Sequence, residues 1–82
     1  MRKRKLLQRI LANPHNVAFG DMIGLVEAFD FRLSRVSGSH HIFVHTTVRE
    51  LVNLQNVSGQ AKPYQVRQFL KLVEQYNLEL KD

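Results

Sequence analysis

Three of the four histidines in the chain fall within six positions, at His40, His41 and His45. Imidazole is the side chain best suited to moving protons near neutral pH. RNA cleavage needs this chemistry, because a base takes the proton of a 2′-hydroxyl, that oxygen attacks phosphorus, and an acid protonates the leaving oxygen. Arg35 lies just before the cluster and is suited to stabilising charge on a phosphate. Solvent-exposed histidines or a metal cluster would show the same residue types, so these alternatives stay open.

The segment that contains the histidines is rich in β-branched and aromatic residues, which predicts a strand. Alternate side chains of a strand share a face, which groups His40 with Ile42 and Val44. We expect that face to enter the core, with His40 at its rim beside a turn. His41 and His45 then lie on the open face, about 13 Å apart along the strand, which is too far for two ligands of one zinc ion. We therefore expect no metal and no cofactor.

The elements around this segment predict an α+β domain. The predicted helices cover residues 3–12 and 19–29 and the segment from Pro63 to Asn77. The predicted strands cover residues 31–36, 39–45 and 50–55, the last of which is equally compatible with irregular structure, and residues 56–61 are predicted to form a loop. The order α-α-β-β-β-α indicates a small antiparallel sheet of about three strands, with the helices on one face. The other face is free for a ligand or a partner.

Length and composition exclude several classes of protein. A chain of 82 residues has room for one domain, which we expect to cover residues 1–82. The absence of cysteine excludes disulfide scaffolds, thiol nucleophiles and cysteine-based zinc sites. No apolar stretch is long enough for a transmembrane helix or a signal peptide, so we expect a cytoplasmic protein.

The charge distribution gives a further indication of a partner. Lysine and arginine total 12 against 7 acidic residues, for a net charge of +5. The whole excess lies in the first nine positions, where five basic residues stand. A basic cluster attracts phosphate backbones. A basic start that only keeps a small protein soluble is the simpler alternative.

Residues 35–43, which contain a Gly-Ser-His triplet, resemble the signature of the HicA family of bacterial toxins. Residues 59–70 resemble the closing segment of that family, and the likeness covers residues 17–76. The resemblance implies a fold like that of a double-stranded-RNA-binding domain. It also implies a toxin of a type II toxin–antitoxin system that cleaves mRNA as a metal-independent endoribonuclease, with a HicB-like antitoxin as its partner.

The resemblance also carries site residues over to this sequence. The family's catalytic histidine follows the Gly-Ser pair, which assigns the role to His40. The resemblance assigns no role to His41. From residue type and position, the residues predicted to bind RNA or to support catalysis are Arg35, Gly38, Ser39, His41, Lys62 and Arg67. Lys62 stands just before the last predicted helix, whose N-terminus favours phosphate, and Arg67 follows about one turn later. A solvated helix face is the simpler alternative for these two and for Tyr64. The second proton-transfer group stays open among His41, Arg35 and Tyr64.

The chain departs from the family pattern in three places. Many members resemble one another in a third strand that ends Pro-x-His, where this chain has Asn53-Leu54-Gln55. The predicted basic helix over residues 3–12 is additional. Asp30 ends the second predicted helix where the family often has glycine, and aspartate tolerates the left-handed conformation better than most residues.

Two other functions are compatible with the sequence. The chain could be an RNA-binding module without catalytic activity, in which case RNA would stay intact after binding. It could also act mainly by binding a protein partner such as an antitoxin. RNA integrity after incubation discriminates between the first of these and a nuclease.

Overall fold

The computed structural model describes residues 3–81, which form three helices and four strands in the order α-α-β-β-β-β-α. The helices are α1 (Lys3–Ala12), α2 (Phe19–Ala28) and α3 (Pro63–Gln75). The strands are β1 (Arg32–Ser37), β2 (His40–Val44), β3 (Val52–Val57) and β4 (Gln60–Ala61). The predicted α+β class and antiparallel sheet are confirmed. Arg2, which is part of the predicted basic cluster, lies outside the described residues.

The helices begin and end close to the predicted residues. Pro63 begins α3, because a first-turn residue needs no N–H donor. After α2, Asp30 adopts the predicted left-handed conformation with φ 71°, and the turn brings both Phe29 and Phe31 into the core. Asn77 has φ 52° and closes α3 in the same way. Within residues 3–81, no helix is long and apolar enough to cross a membrane.

The sheet has the strand order β1-β2-β3-β4, with every neighbouring pair antiparallel. The hairpin between β1 and β2 turns at Gly38, whose φ of 59° lies in the region that L side chains rarely adopt. The β1–β2 register shifts between Leu33 and Arg35, which makes Ser34 an extra residue in a bulge. The bulge changes the face on which the following residues of β1 lie.

The prediction of a loop over residues 56–61 is wrong. Asn56 and Val57 still belong to β3, and they pair with the short strand β4 across a tight turn. That turn uses positive φ at Ser58 and Gly59, and the Gly59 amide donates to Asn56 Oδ1 at 2.7 Å. Polar residues and glycine are typical of both a loop and a hairpin turn, so composition alone did not separate the two.

The core lies between the helices and one face of the sheet. Phe69 of α3 forms edge-to-face contacts with Phe29 at 5.7 Å and with Phe31 at 5.5 Å between ring centroids. Such pairs add about 0.5–1.5 kcal/mol beyond the burial of their area. The largest fully buried side chains are Phe43, Phe69, Met22, Leu25, Leu54, Val26 and Val66. The helical layer leaves the second face of the sheet uncovered.

Candidate active site on the open face of the sheet

His40 lies on the open face of the sheet, away from the helices. Phe43 is only 1% exposed and pairs with buried Val52 on β3. His41 likewise pairs with buried Leu54, so this row of side chains faces the helical layer. Side chains alternate along β2, which places His40 on the other side.

The predicted assignment of the two faces of β2 is therefore wrong. Ile42 and Val44 share the open face with His40 and are half-buried there. The reason lies in β3, where apolar residues alternate with Asn53 and Gln55. Antiparallel pairing puts these two amides on the same face as the residues opposite them, and burying them would require hydrogen-bond partners.

The backbone of His40 is held from both sides of β2. It pairs with Ser37 on β1 and with Gln55 on β3. In addition, the Asn56 amide donates a 2.9 Å hydrogen bond to the Ser39 carbonyl, which ties the hairpin turn to β3. The first residue of β2 is thus fixed beside the Gly-Ser turn, and its partly exposed imidazole stands at the edge of the open face.

Asn53 contacts the imidazole directly. Its Oδ1 lies 3.1 Å from His40 Nδ1. Asn53 pairs with Ile42 and His40 pairs with Gln55, so the two side chains are diagonal neighbours on one face of antiparallel strands. The sequence alone predicts no role for Asn53. The polar alternation of β3 together with its pairing to β2 is the signal that could have placed it beside His40.

Two arginines of β1 lie on the same face as His40. Arg32 pairs with Val44 and Arg35 pairs with Ile42, which share the open face. The bulge at Ser34 makes this possible, because without an extra residue side chains three positions apart would lie on opposite faces. Within residues 3–81, neither guanidinium has a hydrogen bond or an ion pair to another side chain. Both are exposed and available to a ligand.

The sheet carries positive charge without a compensating carboxylate. The three longer strands contain two arginines and two histidines, and no aspartate or glutamate. Elsewhere, Asp30 pairs with Lys81 at 3.8 Å and Asp21 with Arg9 at 3.3 Å. The open face is therefore suited to an anionic ligand.

The other two histidines of the cluster face the helices. The His41 ring packs edge-on against Phe19 of α2, with 4.8 Å between centroids, and its Nδ1 is buried without a hydrogen-bond partner among the described residues. His45 packs against Phe31 at 4.9 Å, and its Nδ1 accepts from the Thr47 amide at 3.1 Å. The structure therefore separates His41 from the face that carries His40.

The residues predicted around α3 lie at its N-terminus and along the side that faces α1. Lys62 directly follows β4 and stands at the N-terminus of α3, with its Nζ 5.7 Å from the centroid of the Tyr64 ring. Arg67 and Tyr64 line a groove between α1 and α3, together with Leu7 and Leu11 of α1. This groove lies in the helical layer, so the structure does not bring Arg67 or Tyr64 to His40.

The basic residues of α1 also belong to the helical layer. Arg9 joins α1 to α2 through its ion pair with Asp21. Lys3 lies close to Gly24 of α2, since a Cβ built on that glycine would be 3.0 Å from the Lys3 ammonium. The positive charge of α1 is therefore separate from the positive charge of the sheet.

Among residues 3–81, Glu50 and Tyr76 form a pair in which both pKa values are shifted. The Tyr76 hydroxyl donates a 2.6 Å hydrogen bond to Glu50 Oε1. This bond lowers the pKa of Glu50 and raises the pKa of Tyr76, because it stabilises the carboxylate and the protonated phenol. The pair connects the loop before β3 to the end of α3, away from His40.

The described residues 3–81 contain no group of three histidine, aspartate or glutamate side chains that could hold a metal ion. The residues that the structure brings together are Arg35, Gly38, Ser39 and His40 of the predicted set, joined by Arg32 and Asn53. A ring nitrogen, an amide oxygen and guanidinium groups on one face provide a proton acceptor, a group that orients it, and positive charge for a phosphate.

These features define a class of protein: a small α+β domain with helices on one face of an antiparallel sheet and a histidine on the other. The chain belongs to the HicA toxin family, since the model of that family, described as HicA toxin of bacterial toxin-antitoxin, matches residues 19–74. The family accounts for α2, the sheet and α3 and leaves α1 outside. Membership identifies the protein as a toxin of toxin–antitoxin systems. No curated protein and no solved structure shows a significant match to the chain.

Proposed function

We propose that this toxin is a metal-independent endoribonuclease that cleaves mRNA, with His40 as the catalytic residue. The observation that carries the proposal is the position of His40 on an uncovered sheet face, with Arg35 unpaired on the adjoining strand. Imidazole supplies the proton transfer and guanidinium supplies the charge that phosphodiester cleavage needs. Family membership supports the role of toxin.

In this reaction a ring nitrogen of His40 takes the proton of the ribose 2′-hydroxyl. The 2′-oxygen then forms a bond to phosphorus, and the bond from phosphorus to the 5′-oxygen of the next nucleotide breaks. The products are a 2′,3′-cyclic phosphate and a 5′-hydroxyl, once the leaving oxygen has gained a proton. Of the three candidates for the second proton-transfer group, only Arg35 shares a face with His40. Arg35 acts here on phosphate charge, and solvent on this exposed face can supply the proton.

The substrate on this proposal is RNA with accessible phosphates. The required 2′-hydroxyl distinguishes RNA from DNA. Arg32 and Arg35 contact phosphate oxygens on either side of the scissile bond, and Lys62, at the N-terminus of α3, contacts a further phosphate. Such contacts make binding fall with increasing salt. The HicB-like antitoxin inhibits the toxin by covering His40 and this surface.

The test compares wild type, His40→Ala and His15→Ala under inducible expression. His15 is the matched control, because it is exposed in the turn after α1 and its side chain makes no bond to the sheet. We expect wild type and His15→Ala to arrest growth and to produce new 5′-hydroxyl ends in mRNA. His40→Ala at equal protein level should do neither.

Two outcomes would contradict the proposal. Growth arrest by His40→Ala equal to that of wild type would remove the catalytic role of His40. Binding of RNA by the purified wild type without cleavage, and with no change on replacing His40, would identify an RNA-binding module instead.

A further inference from the structure

The side-chain amide of Asn53 lies close enough to the His40 ring to determine which ring nitrogen carries the proton. The two side chains are diagonal neighbours on the open face, with 3.1 Å between Asn53 Oδ1 and His40 Nδ1. The amide oxygen only accepts hydrogen bonds, so a bond at this distance requires the proton to be on Nδ1. Neutral imidazole carries one N–H, which leaves Nε2 with a free lone pair.

We infer that Asn53 is a positioning residue that holds His40 as the Nδ1–H tautomer and presents Nε2 as the base. The catalytic consequence rests on the proposed nuclease function, whereas the tautomer itself does not. Nothing in the family match assigns a role to this position, and the contact arises from the register between β2 and β3. The hydrogen bond that one ring nitrogen makes sets the state of the other.

An amide is suited to this task because it orients the ring without adding charge. A carboxylate at the same place would stabilise the imidazolium form, which cannot accept the 2′-hydroxyl proton. The charged groups on this face are Arg32 and Arg35 of β1, whereas β3 contributes no titratable side chain. Ser37, opposite His40, is also uncharged. No carboxylate on these three strands therefore competes with Asn53 for the ring nitrogen.

Asn53 is exposed, so its replacement removes the contact to His40 without opening the core. Asn53→Leu removes the acceptor, and Asn53→Asp retains an acceptor but adds charge. Gln55→Leu is the matched control: it removes an amide from the same strand and face, directly opposite His40, and no hydrogen bond joins the Gln55 side chain to the ring.

The first measurement is the tautomer of His40 by long-range nitrogen–proton NMR correlation on the full chain without RNA, at a pH where the ring is neutral. We expect Nδ1–H in wild type and in Gln55→Leu, and a shift toward Nε2–H in Asn53→Leu. An Nε2–H tautomer in wild type, or an unchanged tautomer in Asn53→Leu, would overturn the inference. Amide spectra of each variant establish that it is folded.

The second measurement is the pH dependence of RNA cleavage. We expect kcat of Asn53→Leu to fall about tenfold or more, as part of the 10²–10⁴-fold that a positioned base contributes. In Asn53→Asp the acidic limb of the profile should move to higher pH, which a merely structural role would not cause. If wild type has the Nδ1–H tautomer but cleaves no RNA, the nuclease proposal fails and the tautomer assignment stands. If wild type cleaves RNA and the Asn53 variants cleave at the same rate at every pH, the positioning role of Asn53 is refuted and the nuclease proposal stands.

Discussion

Replacing Gln65 with leucine tests how α3 holds the strand that pairs with His40. Gln65 is only 4% exposed, and its Oε1 accepts a 2.7 Å hydrogen bond from the backbone amide of Gln55. The pairing of β3 with β4 involves Asn56 and Val57 and does not reach Gln55, so at Gln55 the outer edge of β3 has no neighbouring strand and the Gln65 side chain takes its place. The Gln65 side chain on α3 therefore supplies the acceptor that a neighbouring strand would otherwise offer to the Gln55 amide.

The cost of the replacement follows from the donor that is left without a partner. Leucine fills a similar volume, so the main effect is the unpaired amide of Gln55. An unsatisfied buried donor costs about 1–3 kcal/mol, and partial access of water at this edge favours the lower half of that range. With an m-value near 1 kcal/mol/M in urea, typical of a domain this small, the midpoint should fall by about 1–2 M.

The assay is urea unfolding followed by far-ultraviolet circular dichroism. Gln68→Leu is the control, because it replaces an exposed glutamine on the same helix and should change the free energy of unfolding by less than about 0.5 kcal/mol. Equal midpoints for Gln65→Leu and Gln68→Leu would refute the reasoning. The slope m should be the same in both variants, since neither changes the area exposed on unfolding.

Three further predictions concern the turn, the ionisable pair and the ligand surface. Gly38→Ala should lower the free energy of unfolding by about 1–2 kcal/mol, because Gly38 has φ 59° and alanine is strained there. Gly20→Ala should raise the free energy of unfolding by up to about 1 kcal/mol, because a Cβ on Gly20 meets no neighbouring atom and alanine favours a helix. Urea unfolding of both variants checks the two predictions. Tyr76→Phe should unfold at a lower temperature than wild type at pH 7. The difference in melting temperature should shrink as the pH falls below 4.5 and Glu50 becomes protonated at its lowered pKa. It should shrink again as the pH rises past 10 and the Tyr76 hydroxyl loses its proton at its raised pKa. Melting curves across pH check this, and a difference that stays constant with pH would contradict it. Arg35→Ala should make the slope of log binding constant against log salt concentration shallower by about 0.7, the value for one phosphate contact on single-stranded RNA. An unchanged slope would show that Arg35 makes no such contact.

The helices could be predicted from the sequence because their signals are local. The apolar stripe of α1 and the first-turn proline of α3 each identify a helix without knowledge of the rest of the chain. The left-handed turn at Asp30 is local as well. The position of the Gly-Ser turn directly before His40 likewise follows from neighbouring residues.

The faces of β2 could not be predicted from β2 alone. Both of its faces carry large apolar side chains, Phe43 on one and Ile42 with Val44 on the other, so its own alternation does not say which is buried. Pairing with β3, whose polar face is unambiguous, decides the matter. The bulge at Ser34 could not be predicted either, because no glycine or proline marks it in the sequence. This bulge places Arg32 and Arg35 on the same face of the sheet.

Cleavage of a defined RNA by the purified protein in the presence of a chelator tests the central claim most directly. We predict that wild type produces a 2′,3′-cyclic phosphate and a 5′-hydroxyl, and that a single 2′-deoxy substitution at the cleaved nucleotide abolishes the cut. His40→Ala should cleave at least about a hundredfold more slowly than wild type. Cleavage by His40→Ala at the rate of wild type, or cleavage that survives the 2′-deoxy substitution, would contradict the account.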